Sequence, residues 1–315
     1  VVRETLAEGQ GNDRAAFSRR EGDGDITRWA WNTEWEAAYD TPEDAPVIEW
    51  VPRAQHAILR RTWTGAIGTE SIVLDLIFYA DRSDIEVDLR LELQTPDTPL
   101  SYYLTLPTDL AEGWTGRYDT AGTSVRLDED QLDHVSKDWL TTDRYYAAED
   151  DEHGYLLASP DIRLVQPNGF RFGRQSQRIE RSASPLHLSW ICNNYWTTNF
   201  SSRITGTIHA HYLLREYTAF DPQAAHRAGI EAGDPFILSI TSCDRVADQS
   251  WYRFTSESCI LLDLKRTEEG MRLLVANPLA TPQRFTFVVE GGAQEERTLD
   301  AGALEFVDIS RVAKS

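Results

Sequence analysis

The sequence predicts an almost entirely β, mostly antiparallel chain. Two stretches and one change of rhythm carry that reading. Asp84-Ile85-Glu86-Val87-Asp88-Leu89-Arg90-Leu91-Glu92-Leu93 alternates strictly, as a strand does when one face is buried and the other solvated. Ser71-Ile72-Val73-Leu74-Asp75-Leu76-Ile77-Phe78-Tyr79 is a nearly continuous apolar run, the pattern of a strand covered on both faces. Beyond residue 258 short strands recur at regular spacing, at Cys259–Lys265, Arg272–Asn277, Arg284–Glu290 and Glu305–Ile309. Turns fall at Glu269-Gly270 and Gly291-Gly292, which together make the signature of a small β-sandwich.

The elements follow in order. Residues 1–25 are polar and charged, ending in Glu21-Gly22-Asp23-Gly24-Asp25, and read as a tail or linker. Residues 26–257 form a large β domain and 258–315 the small sandwich. In the strictly alternating strand Ile85, Val87, Leu89, Leu91 and Leu93 face the core, while Asp84, Glu86, Asp88, Arg90 and Glu92 face water. Tyr102–Pro107 is a strand stopped by proline, and residues 108–140 read as an acidic loop. Strands resume at Gly154–Ala158, Leu186–Ile191 and Ile204–Leu214. One short helix is expected at Pro222–Gly229, with Asp221 as its N-cap.

Composition narrows the function classes. The chain has 315 residues, enough for a large β domain plus a small one, and 41% hydrophobic content supplies a core. The formal net charge of −20 repels nucleic acid and anionic membrane, so neither is expected as a partner, whereas a neutral sugar is compatible. Cys192, Cys243 and Cys259 are widely spaced and odd in number, which argues against a disulfide framework or a cysteine zinc site and for a reducing, cytoplasmic compartment. No apolar run reaches membrane-spanning length, and no signal peptide opens the chain. The first residue is Val1 rather than Met, so a fragment, an excised domain or a processed chain is expected.

Three constellations could carry chemistry. His209-Ala210-His211 puts two imidazoles on one face of a strand, opposite the apolar face of Ile204, Ile208, Ala210, Tyr212 and Leu214. Such a pair chelates a metal only if a third ligand approaches. With Thr205 and Thr207 beside it, the face looks solvated, and the simpler reading is an exposed pair of strand histidines. Asp128-Glu129-Asp130, followed by Asp133 and His134, is the densest acidic cluster. Carboxylate pairs serve sugar chemistry, but a solvated acidic loop is the simpler reading. The segment Trp190–Phe200 holds Asn193, Asn194, Tyr195, Trp196 and Asn199. Asn offers both donor and acceptor to a hydroxyl, and aromatic faces stack on sugar rings. Asn also stabilises irregular turns, so both readings stand. Zinc-protease, P-loop, Rossmann and nucleophile-elbow patterns are absent from the sequence.

The order of several segments resembles the C-terminal β region of glycoside hydrolase family 38, the α-mannosidases, in its bacterial form. They are Ser101-Tyr102-Tyr103-Leu104-Thr105-Leu106-Pro107, then Asp128-Glu129-Asp130-Gln131-Leu132 with Lys137-Asp138-Trp139. Next come Gly154-Tyr155-Leu156-Leu157-Ala158-Ser159-Pro160-Asp161 leading to Leu164-Val165-Gln166, and Asn193-Asn194-Tyr195-Trp196-Thr197-Thr198-Asn199-Phe200 with Gly206 after it. Leu262-Asp263-Leu264-Lys265-Arg266 resembles the start of the terminal sandwich. The resemblance runs over residues 60–310, and its collinear order carries it rather than any one motif. Ile162-Arg163 departs from the small or apolar residues and proline expected before Leu164.

The resemblance implies a large β-supersandwich similar to the galactose mutarotase fold. It also implies retaining α-mannoside hydrolysis by a whole enzyme whose catalytic zinc and nucleophilic Asp lie in an N-terminal α/β-barrel. None of the seven histidines here is followed two positions later by Asp, so the family's zinc-ligand pair is absent from this sequence. No cofactor is therefore expected in this chain, and zinc is expected in the missing catalytic half. The expected partners are that barrel and carbohydrate. By fold-level analogy the 190–200 segment and the 126–140 loop, with Asp128 and Asp130, are the candidate cleft-facing surfaces. The alternatives are a free-standing carbohydrate-binding or aldose-epimerase-like sandwich, and a purely structural β domain.

Overall fold

The computed structural model describes residues 42, 44–66, 68–94, 100–133, 135–161, 163–169, 177–194, 204–233, 252–289 and 294–310, together with four short strands within residues 1–40. Those four are β1 (Val2–Thr5), β2 (Phe17–Arg19), β3 (Trp29–Trp31) and β4 (Glu36–Tyr39). Long strands follow: β5 (Val47–Pro52), β6 (His56–Thr64), β7 (Thr69–Tyr79), β8 (Ile85–Leu93) and β9 (Leu100–Pro107). Next come β10 (Thr115–Thr120), β11 (Thr123–Arg126), β12 (Leu140–Thr141), β13 (Tyr145–Glu149), β14 (Gly154–Ala158), β15 (Leu164–Gln166), β16 (Leu186–Asn194) and β17 (Gly206–Tyr217). The helix α1 (Pro222–Gly233) precedes β18 (Tyr252–Ser256), β19 (Ile260–Arg266), β20 (Gly270–Ala276), β21 (Gln283–Val289), β22 (Gln294–Leu299) and β23 (Leu304–Ser310).

The expected all-β architecture is present. A nine-stranded sheet in the order β11-β10-β13-β14-β17-β8-β7-β6-β5 faces a six-stranded sheet in the order β12-β15-β16-β9-β1-β4. All their pairings are antiparallel. Val87, Leu89 and Leu91 of β8 and Ala210 and Tyr212 of β17 meet Tyr102, Ile191 and Cys192 of the smaller sheet between the two layers. A second cluster, including Trp114, Leu127, Tyr146 and Val165, fills the other end. The alternation of β8 thus sorts the side chains as expected, with one exception. Asp84, expected in water, is buried, because Arg215 holds both its oxygens at 2.8 and 2.7 Å. The guanidinium supplies the charge and the two hydrogen bonds that water would otherwise give.

Residues 108–140, expected as a loop, contain the β10–β11 hairpin. Within residues 1–25, expected as a tail, β1 pairs with β4 and β9. The helix runs to Gly233 instead of stopping at Gly229. A Cβ on Gly229 would come within 2.5 Å of Arg144 Cβ, so this glycine serves close packing and is no stop signal. Helix α1 lies on the outer face of the nine-stranded sheet, where Ala225 and Ala228 meet Tyr145, Ala147, Leu156 and Leu213. That outer face is therefore apolar beneath the helix and polar beyond it. Cys192 and Cys259 are free and buried; Cys243 lies outside the described residues. No helix among the described residues is long and apolar enough to cross a membrane.

The small sandwich packs the sheet β18-β21-β22 on the sheet β19-β20-β23, with Leu273, Val275, Phe285, Phe287 and Leu299 between them. Strand β18 joins it by pairing with β21. Asn277 is fully buried at its end. Its Nδ2 donates to the carbonyls of Thr281, Leu299 and Asp300, and its Oδ1 accepts from the Leu279 N–H. Asn277→Ala strands those buried groups and is expected to cost about 2 kcal/mol, readable as a lowered urea midpoint. A loss below the error of the measurement would refute this role for the side chain.

Candidate functional site

Asp128 and Asp130 sit in the turn after β11. Asp128 has φ of 66°, a left-handed conformation that Asp tolerates better than most residues. Its carboxylate accepts from Lys137 Nζ at 3.1 Å, from the Ile179 N–H at 3.2 Å and from Arg181 Nη2 at 3.3 Å. Asp130 is clamped by Arg126, through Nε at 3.0 Å, Nη2 at 2.8 Å and the backbone N–H at 2.8 Å. The hydrogen bonds from Arg126 hold its carboxyl below the usual carboxylate range. Both acids are thus bound within the chain's own network, and a sugar hydroxyl would have to compete with those cations. Asn193 and Asn194 close β16, paired in register with Ser101 and Leu100. Tyr195, Trp196 and Asn199 lie outside the described residues, as does His134.

The two histidines of β17 stand on the open part of the outer face. Strand register places His211 opposite Asp88, Asp88 opposite Asp75, Asp75 opposite Arg60 and Arg60 opposite Glu49. One continuous polar row therefore crosses β17, β8, β7, β6 and β5. His211 Nδ1 is 2.6 Å from Asp88 Oδ1. Arg60 donates from Nε and Nη2 to the two oxygens of Asp75 at 2.8 and 2.6 Å. The His211 backbone N–H donates to Asp161 at 2.9 Å. In the neighbouring row His209 is opposite Arg90, and Arg90 opposite Val73. All of these residues except Glu49 line a cleft of about 390 Å³. The hydrogen bond to Asp88 raises the His211 pKa against the opposing effect of burial, and the same bond lowers that of Asp88. Among the described residues no three His, Cys, Asp or Glu side chains are grouped to hold a metal ion. The His-x-His pair was visible in the sequence. Its partners were not, because they come from strands whose register no local pattern encodes.

Two further histidines are buried. His187, under the six-stranded sheet, contacts the Tyr146 hydroxyl at 3.1 Å through Nδ1 and meets the edge of Trp114. Burial pushes its pKa down to about 3. His226 of α1 is pushed down to about 4 by burial and by nearby Arg144. Both Nε2 atoms are buried with no hydrogen-bond partner among the described residues. Asp119 is pushed up to about 6 by burial, although the Arg144 and Tyr145 N–H groups both donate to it at 2.8 Å.

These features define a class, a two-layer antiparallel supersandwich with a small sandwich after it and a polar cleft on its larger sheet. No family model matches the sequence, and no curated protein matches it. Solved structures do. A glycosyl hydrolase family 38 protein from Enterococcus faecalis is similar with a TM-score of 0.62 and 10% identity, over 90% of this chain and 38% of its own. An α-mannosidase from Enterococcus faecalis V583 is similar with a TM-score of 0.56 and 11% identity, over 78% of this chain and 31% of its own. At such identities the likeness shows a shared fold. The chain spans about a third of the length of these proteins.

Proposed function

We propose that this chain is the non-catalytic C-terminal β region of an α-mannosidase-like glycoside hydrolase, buttressing a catalytic barrel and contributing carbohydrate contacts at the rim of its cleft. The observation that carries the reading is the asymmetry of the fold match: nearly the whole chain is similar to a part of a family 38 protein, and most of that protein has no counterpart here. A second feature fits a docked partner. Val47, Ile48 and Trp50 on β5, which ends the nine-stranded sheet among the described residues, are 67%, 60% and 60% exposed, and large apolar side chains at a sheet edge suit a surface that another domain covers. The role of the chain is then to hold loops at the rim of a site whose zinc and nucleophile come from the barrel.

The expected result is that the chain alone, with or without added Zn²⁺, gives no turnover of an aryl α-mannoside. The coding sequence adjoining it is expected to specify a barrel bearing the His-x-Asp pair. Turnover by the chain alone, or an adjoining coding sequence without such a barrel, would overturn the assignment.

A further inference from the structure

We propose that the cleft lined by Asp88, His211, Asp75, Arg60 and Val73 is a binding site for a neutral pyranose, a choice of ligand that rests on the glycosidase reading above. Three observations lead there. The first is shape: about 390 Å³ falls within the range of small-molecule sites, and the site lies where the outer face emerges from beneath α1.

The second is charge. The chain as a whole is strongly acidic, but this cleft sets Arg60, Arg90 and the imidazoles of His209 and His211 against Asp75, Asp88 and Asp161. An anion would meet three carboxylates and a cation two guanidinium groups, so a neutral ligand suits the local field better than either. Hydroxyls both donate and accept, and the row offers two adjacent carboxylate acceptors, Asp88 and Asp75, flanked by the His211 imidazole and the Arg60 guanidinium.

The third is the pairing of Asp75 with Asp88. Like charges directly opposite on neighbouring strands destabilise a sheet. Each carboxylate has a hydrogen-bonding partner on its far side, Arg60 for Asp75 and the His211 imidazole for Asp88, and the two carboxylates are direct register partners across neighbouring strands. A pair of ligand hydroxyls donating to the two carboxylates relieves the repulsion without a metal ion, for which no grouping exists among the described residues. Val73, on the same face between Arg90 and Thr62, gives the C–H surface of the ring an apolar rest. Among the described residues no Phe, Tyr or Trp lines the cleft, so binding is weak.

The test is an NMR titration of the isotope-labelled full chain with methyl α-D-mannopyranoside, following the imidazole signals of His209 and His211. A dissociation constant on the order of 1 mM is expected. Asp88→Asn is expected to weaken it about tenfold by removing one charge-assisted acceptor, and His211→Gln should do likewise. Asp308→Asn, on the small sandwich, leaves it unchanged. Histidine signals that stay fixed to tens of millimolar sugar overturn the proposal, as does a response that Asp88→Asn leaves intact. So does a response to calcium chloride or sodium phosphate with none to the sugar, which makes the cleft an ion site. The glycosidase reading fails separately: a chain that binds sugar here and has no barrel beside it in the gene keeps this site and loses that role.

Discussion

Asp128→Ala is expected to destabilise the protein by about 3–5 kcal/mol, the cost of removing one partner from a buried ion pair. Lys137 decides the magnitude. Its side chain is 4% exposed and its ammonium lies 3.1 Å from Asp128, so truncating the carboxylate strands a charge that water cannot reach. Arg181, 3.3 Å away on the other oxygen, and the Ile179 N–H lose an acceptor at the same time. An exposed pair would be worth far less, at most about 1 kcal/mol. The same substitution thus separates two roles for this acidic turn. If Asp128 serves the fold, urea unfolding moves strongly, and Lys137→Met in the Asp128→Ala background recovers part of the loss because the orphan charge is gone. If Asp128 serves mainly as a sugar contact, stability stays within about 0.5 kcal/mol of the parent, as for surface changes generally. That outcome would rule out a structural role for Asp128. Asp130→Ala offers the internal comparison: its partner Arg126 is solvent-facing, and the expected loss is correspondingly small.

Much of the fold was legible because burial on one face imposes a period. β8 and the first part of β17 alternate, and their apolar faces are the ones the core contains, while the small sandwich was legible from its regularly spaced short strands and intervening turns. The β10–β11 hairpin escaped because Thr115–Arg126 has almost no apolar alternation. Its strands are placed by partners instead, β10 being paired with β13 as well as β11. β6 escaped for a related reason, since Arg60 and Arg61 interrupt its apolar pattern and the partner that holds Arg60, Asp75, lies fifteen residues on. Asp84 was misplaced by the rule that serves the rest of β8. Alternation assigns a face but cannot say that Arg215 and α1 cover one end of it. The polar row shows the same limit. Parity told that Asp88, Arg90, His209 and His211 avoid the core, but their juxtaposition depends on the register of five strands, which is a tertiary property.

Acid is expected to unfold the protein well above the pKa of its surface carboxylates, and His187 with His226 are the cause. Each has a folded pKa depressed below the unfolded value of 6.5, to about 3 and about 4. Their stabilising contribution is therefore complete above pH 6.5 and is lost as pH falls, because the unfolded chain takes up protons that the folded chain refuses. Each unit of that gap is worth about 1.4 kcal/mol. By pH 4.5 the two histidines together withdraw about 5 kcal/mol, on the scale of a whole domain's stability. Asp119 works in the opposite sense. Its folded pKa is raised to about 6, so its buried charge is relieved as pH falls, returning about 2 kcal/mol over the same window. His211 and His153, whose pKa values are raised by Asp88 and Asp109, work in the same sense as Asp119, so the two buried histidines leave a net loss of at most about 3 kcal/mol between pH 7 and 4.5. Urea unfolding across that range measures it. His187→Gln, which keeps the size and polarity but cannot titrate, is expected to flatten the slope by about half of the histidine contribution. Asp119→Asn, whose amide oxygen can still accept from Arg144 and Tyr145, is expected to steepen it. NMR supplies a check that needs no variant: the His187 imidazole should stay neutral down to pH 4.5 in the folded protein, while His211, held above the usual imidazole value by Asp88, takes its proton early. Stability that holds or rises from pH 7 to 4.5, or a His187 that protonates together with His211, would show that neither buried ring resists its proton.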